Sequence, residues 1–214
     1  MQLKELSEVT GTSAASIKYY LREGLLPPGE SVHATRASYT ADHVKRLELI
    51  RSLRQIVGLN IEQIRSIVKM ADDGVPHLAL LAHVQRVVLK LGPDGGEVVR
   101  TAAADAVVRM RSWPDVPSDA RDALDRHIAL MEELGIGSTL DLLDQYSSAV
   151  DSIAGLDLAA TTAGQDTDSV ILTAAVGMHL HSQLMLKLLA LAQASHAIRR
   201  LTNHGHPLTP NAPP

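Results

Sequence analysis

Residues 170–194 form the longest apolar run in the chain and restrict its fold more than any other feature. The run is interrupted by His179, His181, Gln183 and Lys187. Such polar interruptions are costly in a lipid bilayer, so we predict a buried helix of a soluble protein rather than a membrane span. A helix that is apolar on all faces must be covered on all sides, and we expect a second subunit to supply part of that cover.

Residue composition excludes several kinds of functional site. The 214-residue chain has no Cys, which excludes disulfides, thiolate-bound metals, iron–sulfur clusters and thiol nucleophiles. Only five residues are Trp or Tyr and none is Phe, so cores and pockets must be built from Leu, Val, Ile and Ala. No apolar segment follows the first charges, as a signal peptide would require, and we expect a cytoplasmic protein.

Charge is unevenly distributed along the chain. Residues 1–72 contain 10 Lys and Arg against 8 Asp and Glu, a net +2. Residues 73–214 contain 10 against 16, a net −6, and together they give the overall −4. A mildly basic N-terminal module suggests an anionic partner, although so small an excess also fits a solvated helical surface.

The first 26 residues have the pattern of a helix-turn-helix. A two-turn helix is predicted to end near Gly11, and the hydroxyl of Ser13 can cap a second helix. Ile17 and Tyr20 would face inward on that helix, and Gly24 lies where a left-handed cap is needed. Two short helices joined by a tight turn form this DNA-binding unit.

A hairpin or loop over residues 30–38 and two further helices complete the N-terminal module. The stretch before it, Pro27-Pro28-Gly29, cannot continue a helix. Thr40 is predicted to cap a third helix that Gly58 ends. Asn60 and Gln63 have the spacing of a capping box, which predicts a fourth helix over residues 61–70.

These segments together resemble the DNA-binding domain of the MerR family over about residues 1–72. The resemblance lies in motifs that occur in the family's order: Ser16-Ile17-Lys18-Tyr19-Tyr20, Glu23-Gly24-Leu25-Leu26, Tyr39-Thr40-Ala41-Asp42-His43-Val44-Lys45-Arg46-Leu47, and Gly58-Leu59 before residues 61–65. Three positions depart from the family pattern. Ser16 replaces Thr, Lys18 replaces Arg, and Arg36 precedes Tyr39 by three residues instead of two.

The resemblance implies roles for individual residues and a mode of action. On the recognition helix, the residues that would face the major groove and its flanking phosphates are Ser13, Ser16, Lys18, Tyr19 and Arg22. In the wing, Arg36 would grip the backbone with Tyr39 behind it. The family also implies a homodimer on a pseudo-palindromic operator that is bent or untwisted, with RNA polymerase at the promoter.

The remaining two thirds of the chain are predicted to be all-helical. Helices are expected over residues 76–91, 97–111, 118–134, 138–153 and 169–200, with breaks at residues 93–96 and 113–117. Residues 155–168 would form a short helix or a loop. We therefore predict an all-α protein with three parts: a winged helix-turn-helix at residues 1–74, a helical effector and dimerisation domain at 75–201, and a disordered tail at 202–214. The dimer contact would be shared by the 76–91 and 169–200 helices.

An effector of the C-terminal domain would be a mainly hydrophobic small molecule. Too few rings are available for an aromatic cage, and an aliphatic cavity between helices fits the composition better. Candidate ligand-binding residues are Trp113, Tyr146, Met178, His179 and Gln183. His179 and His181 diverge by about 200° on a helix, so we predict neither a metal site nor any cofactor.

Two hypotheses remain open at the level of the sequence. In the first, DNA binding responds to a small-molecule ligand in the C-terminal domain. In the second, that domain only dimerises or docks a protein partner, and a well-packed core without a cavity would favour it. An enzyme is not expected, because the chain lacks G-x-S-x-G, H-E-x-x-H and a phosphate-binding Gly loop.

Overall fold

The computed structural model describes residues 1–33, 36–92, 98–137, 139–159 and 166–203. Within these ranges the chain is helical apart from one two-stranded hairpin, which confirms the predicted all-α class. The N-terminal elements are α1 (Leu3–Thr10), α2 (Ala14–Arg22), β1 (Glu30–His33), β2 (Arg36–Ser38), α3 (Ala41–Gln55) and α4 (Ile61–Asp72). The C-terminal helices are α5 (His77–Leu89), α6 (Ala102–Arg111), α7 (Asp119–Glu133), α8 (Leu140–Ala159) and α9 (Thr167–Asn203).

The helix-turn-helix forms as the sequence predicts. Gly11 follows α1 with φ of 62°, and Gly24 follows α2 with φ of 70°. This left-handed region costs other residues about 1–2 kcal/mol, which explains glycine at both turns. Ser13 Oγ accepts a hydrogen bond from the backbone N–H of Ser16 at 3.1 Å and so caps α2.

Both later helices of the N-terminal module begin with reciprocal caps. The N–H of Thr40 donates to His43 Nδ1 at 3.1 Å at the start of α3. At the start of α4, the N–H of Asn60 donates to Gln63 Oε1 at 3.0 Å, and the N–H of Gln63 donates to Asn60 Oδ1 at 2.9 Å. The predicted capping box of α4 is therefore confirmed.

One hydrophobic core joins the N-terminal module to α5 and α9. From α5, Leu80, Val84 and Val88 lie in the same buried cluster as Ile64 of α4. From α9, Ile171 and Ala175 belong to it, and α9 packs along both α3 and α5. The core thus continues across residues 74 and 75, where the sequence pattern changes from the predicted DNA-binding module to the predicted effector domain.

Helix α6 packs against both α7 and α8, and a buried ionic group joins the start of α6 to α7. Asp125 is fully buried and accepts hydrogen bonds from the N–H and Oγ1 of Thr101, at 2.8 and 3.0 Å, and from Arg100 at 3.0 Å. Arg121 lies one turn before it and is also buried. The inward face of α7 is therefore partly ionic, which its apolar spacing did not indicate.

Apolar residues at helical spacing on α7 and α8 are only partly buried. On α7, Ile128 is buried, but Ala120 is exposed and Leu134 is 63% exposed. On α8, Leu140 is 57% exposed and Val150 is 39% exposed. The apolar spacing identified the helices correctly, but it did not identify which faces meet another element of the same chain.

Several predicted boundaries differ from the structure or lie outside the described residues. The helix expected from residue 97 begins at Ala102, because Thr101 Oγ1 accepts the N–H of Ala104 at 3.2 Å and caps it there. Ser138, which the sequence offers as a cap for the helix expected from residue 138, is outside the described residues, and Thr139 Oγ1 accepts the N–H of Leu142 at 3.3 Å. The break at residues 93–96 and the tail from residue 204 are likewise outside them.

Helix α9 is buried only along its N-terminal part. Ile171 and Ala175 are fully buried, whereas Leu180, Leu184 and Leu191 are 51%, 52% and 65% exposed. The expectation that this helix is covered on all sides is thus not met within one chain. By length and mean hydropathy alone (1.3), the stretch Thr167–Arg200 is the one described helix that could cross a membrane.

Candidate nucleic-acid interface

The recognition helix α2 is held by its buried face and presents the opposite one. Ile17 is fully buried and Tyr20 is 7% exposed, so these side chains fix the helix on the core. One residue from Ile17 on the helix, Lys18 is exposed, and Arg22 follows it one turn later. The outward face therefore offers two cations on a rigid support, as a major-groove contact requires.

Aromatic stacking orders the outward face of α2. The guanidinium carbon of Arg22 lies 5.4 Å from the centroid of the Tyr19 ring, within the range of a cation–π contact. The half-buried Tyr19 ring also meets the Tyr20 ring edge-on, with centroids 5.7 Å apart. This chain of contacts runs from the core to the surface and limits the positions that Arg22 can take.

The N-terminus of α2 carries the predicted serines. Ser13 is exposed and Ser16 is half-buried, and their hydroxyl oxygens lie 2.9 Å apart. A phosphate placed here would meet free helix N–H groups and the positive end of the helix dipole. Ser13 thus has a structural role as a cap in addition to the DNA contact that the sequence predicts.

The C-terminal end of α2 is fastened to α4 by an ion pair that the sequence did not suggest. Arg65 of α4 donates through Nη2 to the Glu23 carboxylate and through Nε to the Glu23 carbonyl oxygen. The third guanidinium nitrogen, Nη1, donates to Glu62 at 2.7 Å. Both ends of α2 are therefore fixed, one by its Ser13 cap and the other by Arg65.

The wing is an antiparallel hairpin, as predicted, in which Glu30 pairs with Ser38 and Ser31 with Ala37. Arg36 lies in β2, and its side chain is outside the described residues. The Tyr39 backbone exchanges two hydrogen bonds with Met1, both at 2.8 Å, and ties the hairpin to the N-terminus.

The Tyr39 side chain is buried beneath the wing and supports it. Its side chain is 7% exposed, and its ring meets the His43 ring edge-on with centroids 5.1 Å apart. A Cβ on Gly29 would lie 2.9 Å from this ring, so the hairpin runs directly over it. The ring has little surface left for a direct DNA contact.

The start of α9 is bound to the N-terminal module by a group of ion pairs. Arg46 of α3 is 8% exposed and binds Asp72 of α4 and Asp168 of α9, each at 2.7 Å. Burial disfavours a charged guanidinium, yet hydrogen bonds to Asp72 and Asp168 raise the pKa of Arg46. Beside it, Lys45 Nζ lies 3.0 Å from Asp166.

The Asp166 carboxyl in this group of ion pairs also has a shifted pKa. Hydrogen bonds from Ser169 and then from Lys45 lower the pKa of Asp166 to about 2. The carboxylate therefore stays ionised well into acid. Helical spacing could have indicated the burial of Arg46, because Leu49 and Ile50, three and four residues after it, are fully buried on the same face.

The candidate ligand-binding residues lie on two different sets of helices. The indole N–H of Trp113, which follows α6, donates to Asp151 of α8 at 2.6 Å, and Tyr146 of α8 is 56% exposed. Met178, His179 and Gln183 are on α9, and Met178 packs against the core that α9 shares with α3 and α5. The first pair thus belongs to the α6–α8 bundle and the other three to the helix that joins the DNA-binding module.

Two clefts stand out in the described part of the chain, and both are open and lined mainly by residues with polar side chains. A cleft of about 440 Å³ lies between α4 and α5. Its lining comprises Glu62, Gln63, Ser66, His83, Arg86, Val87, Lys90 and Gly92. A second of about 250 Å³ lies over the Arg46 ion pairs. None of the five candidate ligand residues lines either cleft.

The N-terminal third matches a known family. Residues 1–71 fit the family described as MerR HTH family regulatory protein, which confirms the resemblance inferred from the motifs of α2, α3 and α4. This match covers the helix-turn-helix, the hairpin and most of α4.

Individual relatives extend the comparison. The HTH-type transcriptional regulator CueR of Escherichia coli O157:H7 is 34% identical over 80 residues, which is 37% of this chain and 58% of CueR. YyaN of Bacillus subtilis strain 168, an HTH-type transcriptional regulator without an assigned role, is 24% identical over 134 residues, 61% of this chain and 93% of YyaN. This chain therefore matches somewhat over half of the length of CueR.

A solved structure resembles nearly the whole chain. SCO5550 of Streptomyces coelicolor A3(2), described as a transcriptional regulator, aligns with a TM-score of 0.63 and 27% sequence identity. The alignment covers 94% of this chain and 97% of SCO5550, so the arrangement of C-terminal helices also has a counterpart.

Proposed function

We propose, from the premise that residues 1–71 are a DNA-binding domain of the MerR family, that this protein regulates transcription by binding a pseudo-palindromic promoter operator as a homodimer. The observation that carries the proposal is the outward face of α2. Lys18 and Arg22 project from a helix whose other face is buried and whose ends are fixed. Related regulators are named for transcription, and no enzymatic role is proposed.

In the proposed complex, α2 enters the major groove and the hairpin lies along the adjacent backbone. Lys18 donates to base edges or nearby phosphates, while Ser13 and Ser16 bring phosphate to the helix N-terminus. Tyr19 and Arg22 act together at the groove edge, because the ring holds the guanidinium in place. Arg36 contacts the backbone from the wing, and Tyr39 supports the hairpin from beneath.

The test is fluorescence anisotropy of the full chain with an operator obtained by selection from random duplexes. We expect Lys18→Ala to weaken operator binding about 10-fold or more and to reduce discrimination against unrelated DNA. The matched control is Lys4→Ala, since Lys4 is an exposed lysine of the same module on α1. Equal affinities for wild type and Lys18→Ala, or equal losses for both variants, would refute the role of α2.

The salt dependence of DNA binding tests the backbone contact that is proposed for Arg36 in the wing. Each phosphate contact contributes about −0.9 to the slope of log affinity against log salt concentration. Arg36→Ala is expected to weaken binding to all sequences and to lower the magnitude of this slope by about one unit. An unchanged slope would place Arg36 away from the phosphates.

A mainly hydrophobic effector remains part of the proposal, at the α9 residues Met178, His179 and Gln183. What supports this position is that α9 contacts both α3 and α5, so a ligand there would act directly on the DNA-binding module. Trp113 and Tyr146 would belong to a ligand site only if α8 approaches α9 from another subunit. The test is a thermal-shift screen of the full chain against hydrophobic metabolites and divalent metals, with Gln183→Leu as the diagnostic variant.

The alternative is a regulator without a ligand, whose C-terminal helices only dimerise or dock a protein. Its support is that both described clefts are open and not enclosed cavities, while α8 and α9 expose large apolar side chains. A screen in which no hydrophobic compound raises the melting temperature, together with a stable dimer, would favour this alternative.

A further inference from the structure

The larger cleft lies where α4, the last helix of the DNA-binding module, packs against α5. Its volume of about 440 Å³ is within the usual range for small-molecule sites, which is roughly 300–1,000 Å³. Residues 62, 63 and 66 form the α4 wall, and residues 83, 86, 87, 90 and 92 form the opposite wall. The cleft is therefore large enough for a small organic molecule.

Positive charge collects on the α5 side of this cleft. Arg86 and Lys90 lie one helical turn apart in its lining. Arg126 of α7 lies against Gly92 at the edge, since a Cβ on Gly92 would lie 2.8 Å from Arg126 Nη2. Among the described lining residues, Glu62 on the opposite wall is the one carboxylate. The cleft thus presents an excess of cations to a solute.

Two of these cations keep an uncompensated charge among the described residues. Neither Lys90 nor Arg126 forms an ion pair with a carboxylate in that part of the chain. Lys90 is exposed, and Arg126 Nη2 donates to the Leu91 carbonyl oxygen at 2.9 Å. Because a carbonyl oxygen carries no net charge, an oxyanion placed here would gain charge-assisted hydrogen bonds from both residues.

The third cation, Arg86, is held in position by its neighbours. Its Nη2 lies 2.7 Å from His83 Nδ1, and its Nε lies 3.4 Å from a carboxylate oxygen of Asp119 on α7. The Arg86 side chain is only 14% exposed. A cation fixed in this way loses little side-chain entropy when it attracts a ligand, so this wall of the cleft is pre-organised.

The bond from Arg86 also sets the protonation state of His83. Because a guanidinium only donates, His83 Nδ1 accepts, and Nε2–H donates to Ser66 Oγ at 2.9 Å. The Ser66 hydroxyl in turn donates to the Gln63 carbonyl oxygen at 2.8 Å. The neutral His83 therefore cannot take the Ser66 proton, and the two residues form a polar wall instead of a nucleophile with its base.

We propose that this cleft binds a small organic anion, a metabolite that carries a carboxylate or phosphate group. Its oxyanion lies among Lys90, Arg86 and Arg126, and its uncharged part lies against Val87 and the polar α4 wall. This site is separate from the α9 residues proposed for a hydrophobic effector, because none of those residues lines the cleft.

A short series of contacts joins the cleft to the recognition helix. Glu62 accepts a hydrogen bond from Arg65 at 2.7 Å, and Arg65 also donates to the carbonyl oxygen of Glu23 at the end of α2. An anion in the cleft repels the Glu62 carboxylate and so acts on the residue that fastens α2. The coupling to DNA rests on the proposed function, whereas the binding of the anion does not.

Isothermal titration calorimetry of the full chain without DNA tests the site with citrate, glucose 6-phosphate and inorganic phosphate. We expect at least one of the two organic anions to bind with a Kd below about 1 mM at low salt, and inorganic phosphate at least about 10-fold more weakly. Which organic anion binds more tightly distinguishes carboxylate from phosphate recognition. Failure of all three to bind, or equal affinity for inorganic phosphate, would overturn the proposal.

Charge variants locate the bound anion. Lys90→Gln should weaken its binding about 10-fold, because it removes one charge-assisted hydrogen bond. Glu62→Gln removes the opposing carboxylate and should tighten binding about 2- to 5-fold. The matched control Lys4→Gln changes an exposed lysine of α1 and should leave the affinity within about twofold. Equal effects of Lys90→Gln and Lys4→Gln, or weaker binding by Glu62→Gln, would place the anion elsewhere and overturn the assignment.

The titration of His83 supplies an independent readout. In the free protein, burial and then the charge of Arg86 lower the pKa of His83, against a smaller raising effect of Asp119. A bound oxyanion favours the imidazolium form, so saturation with the tighter organic anion should raise the pKa of His83. Nuclear magnetic resonance titration measures this pKa, with the His83 signal assigned by its loss in His83→Gln. An unchanged pKa would contradict a site beside α5.

Operator binding in the presence and absence of the anion separates this inference from the proposed function. We expect the anion to change operator affinity, and the operator to change anion affinity by the same factor. Anion binding with an unchanged operator affinity keeps the site and overturns its coupling to α2. Anion binding by a chain without salt-dependent DNA affinity keeps the site and overturns the function. If no probe binds and Lys90→Gln lowers the salt slope of DNA binding, these cations contact the DNA backbone, and the inference fails.

Discussion

Arg46 of α3 donates from Nε to Oδ2 of Asp168 of α9 at 2.7 Å, although 122 positions of sequence separate the two residues. The same guanidinium binds Asp72 at the end of α4. One buried cation therefore joins two helices of the DNA-binding module to α9, the long C-terminal helix. A change in the position of α9 would reach α3 directly through this contact.

Replacing Arg46 should be strongly destabilising. Arg46→Met would leave Asp168, whose side chain is 13% exposed, without its cation, and losing one partner of a buried pair costs about 3–5 kcal/mol. Urea unfolding at neutral pH measures the loss. Arg54→Met, an exposed arginine of the same helix, should stay within about 0.5 kcal/mol. Equal effects of the two variants would contradict the structural role of Arg46.

Stability in acid should reveal the Lys45–Asp166 pair. Hydrogen bonds from Ser169 and Lys45 hold the pKa of Asp166 at about 2, below its ordinary 3.8. A carboxyl with a lowered folded-state pKa stabilises the fold above pH 4, and this contribution is lost as the pH falls towards 2. We expect Asp166→Asn to be less stable than wild type by under about 1 kcal/mol at pH 5, because both side chains are more than 40% exposed.

Urea titrations of both proteins between pH 2 and 6 provide the measurement for Asp166. The difference in unfolding free energy should shrink steadily below pH 4. A difference that stays constant across this range would mean that the Asp166 carboxylate does not contribute through its charge.

Tyr39 should act on DNA binding only through the fold of the wing. Tyr39→Phe keeps the ring that packs against His43 and under Gly29, so operator affinity should remain within about twofold. Tyr39→Ala removes a buried ring and should cost about 3–5 kcal/mol in stability. A loss of affinity in Tyr39→Phe with unchanged stability would instead indicate a direct contact through the hydroxyl.

The cap of the recognition helix should be measurable separately from its DNA contacts. Ser13→Ala removes the oxygen that accepts the Ser16 N–H, and we expect a loss of about 1 kcal/mol in unfolding free energy. Ser16→Ala keeps this acceptor and is the matched control, with an expected loss below about 0.5 kcal/mol. Thermal unfolding of both variants without DNA measures the two losses in unfolding free energy. A larger loss in Ser16→Ala than in Ser13→Ala would contradict the assignment of the cap.

The buried Asp125 carboxylate should be essential for the packing of α7 against the start of α6. Asp125→Ala would remove one of the carboxylates around the buried Arg121 and leave the Thr101 N–H without its acceptor, at a cost of about 3 kcal/mol. Asp122→Ala removes a more exposed partner 3.8 Å from Arg100 and should cost under about 1 kcal/mol. Chemical unfolding of the two variants measures the loss of unfolding free energy in each. Equal losses would contradict the structural role of Asp125.

Local sequence patterns predicted the recognition helix and its turns because those features depend on neighbours in the chain. Ser13 as a cap, Gly11 and Gly24 at left-handed positions, and the Asn60–Gln63 capping box involve residues at most three apart or a single backbone angle. The fastening of α2 by Arg65 to Glu23 spans 42 residues, and no periodic pattern encodes a contact at that distance.

The sequence by itself determined the helical class, the winged helix-turn-helix and the apolar nature of α9, since helix period, caps and turn glycines are local properties of the chain. Only the tertiary structure decided which face each helix buries. It placed Arg46 and Asp125 inside, buried the apolar stripe of α5 in a core shared with α3, and left large apolar side chains of α9 from Leu180 to Ile198 exposed within one chain. Burial depends on which surfaces meet. Apolar spacing alone does not distinguish a helix face that packs within the chain from one that stays exposed there.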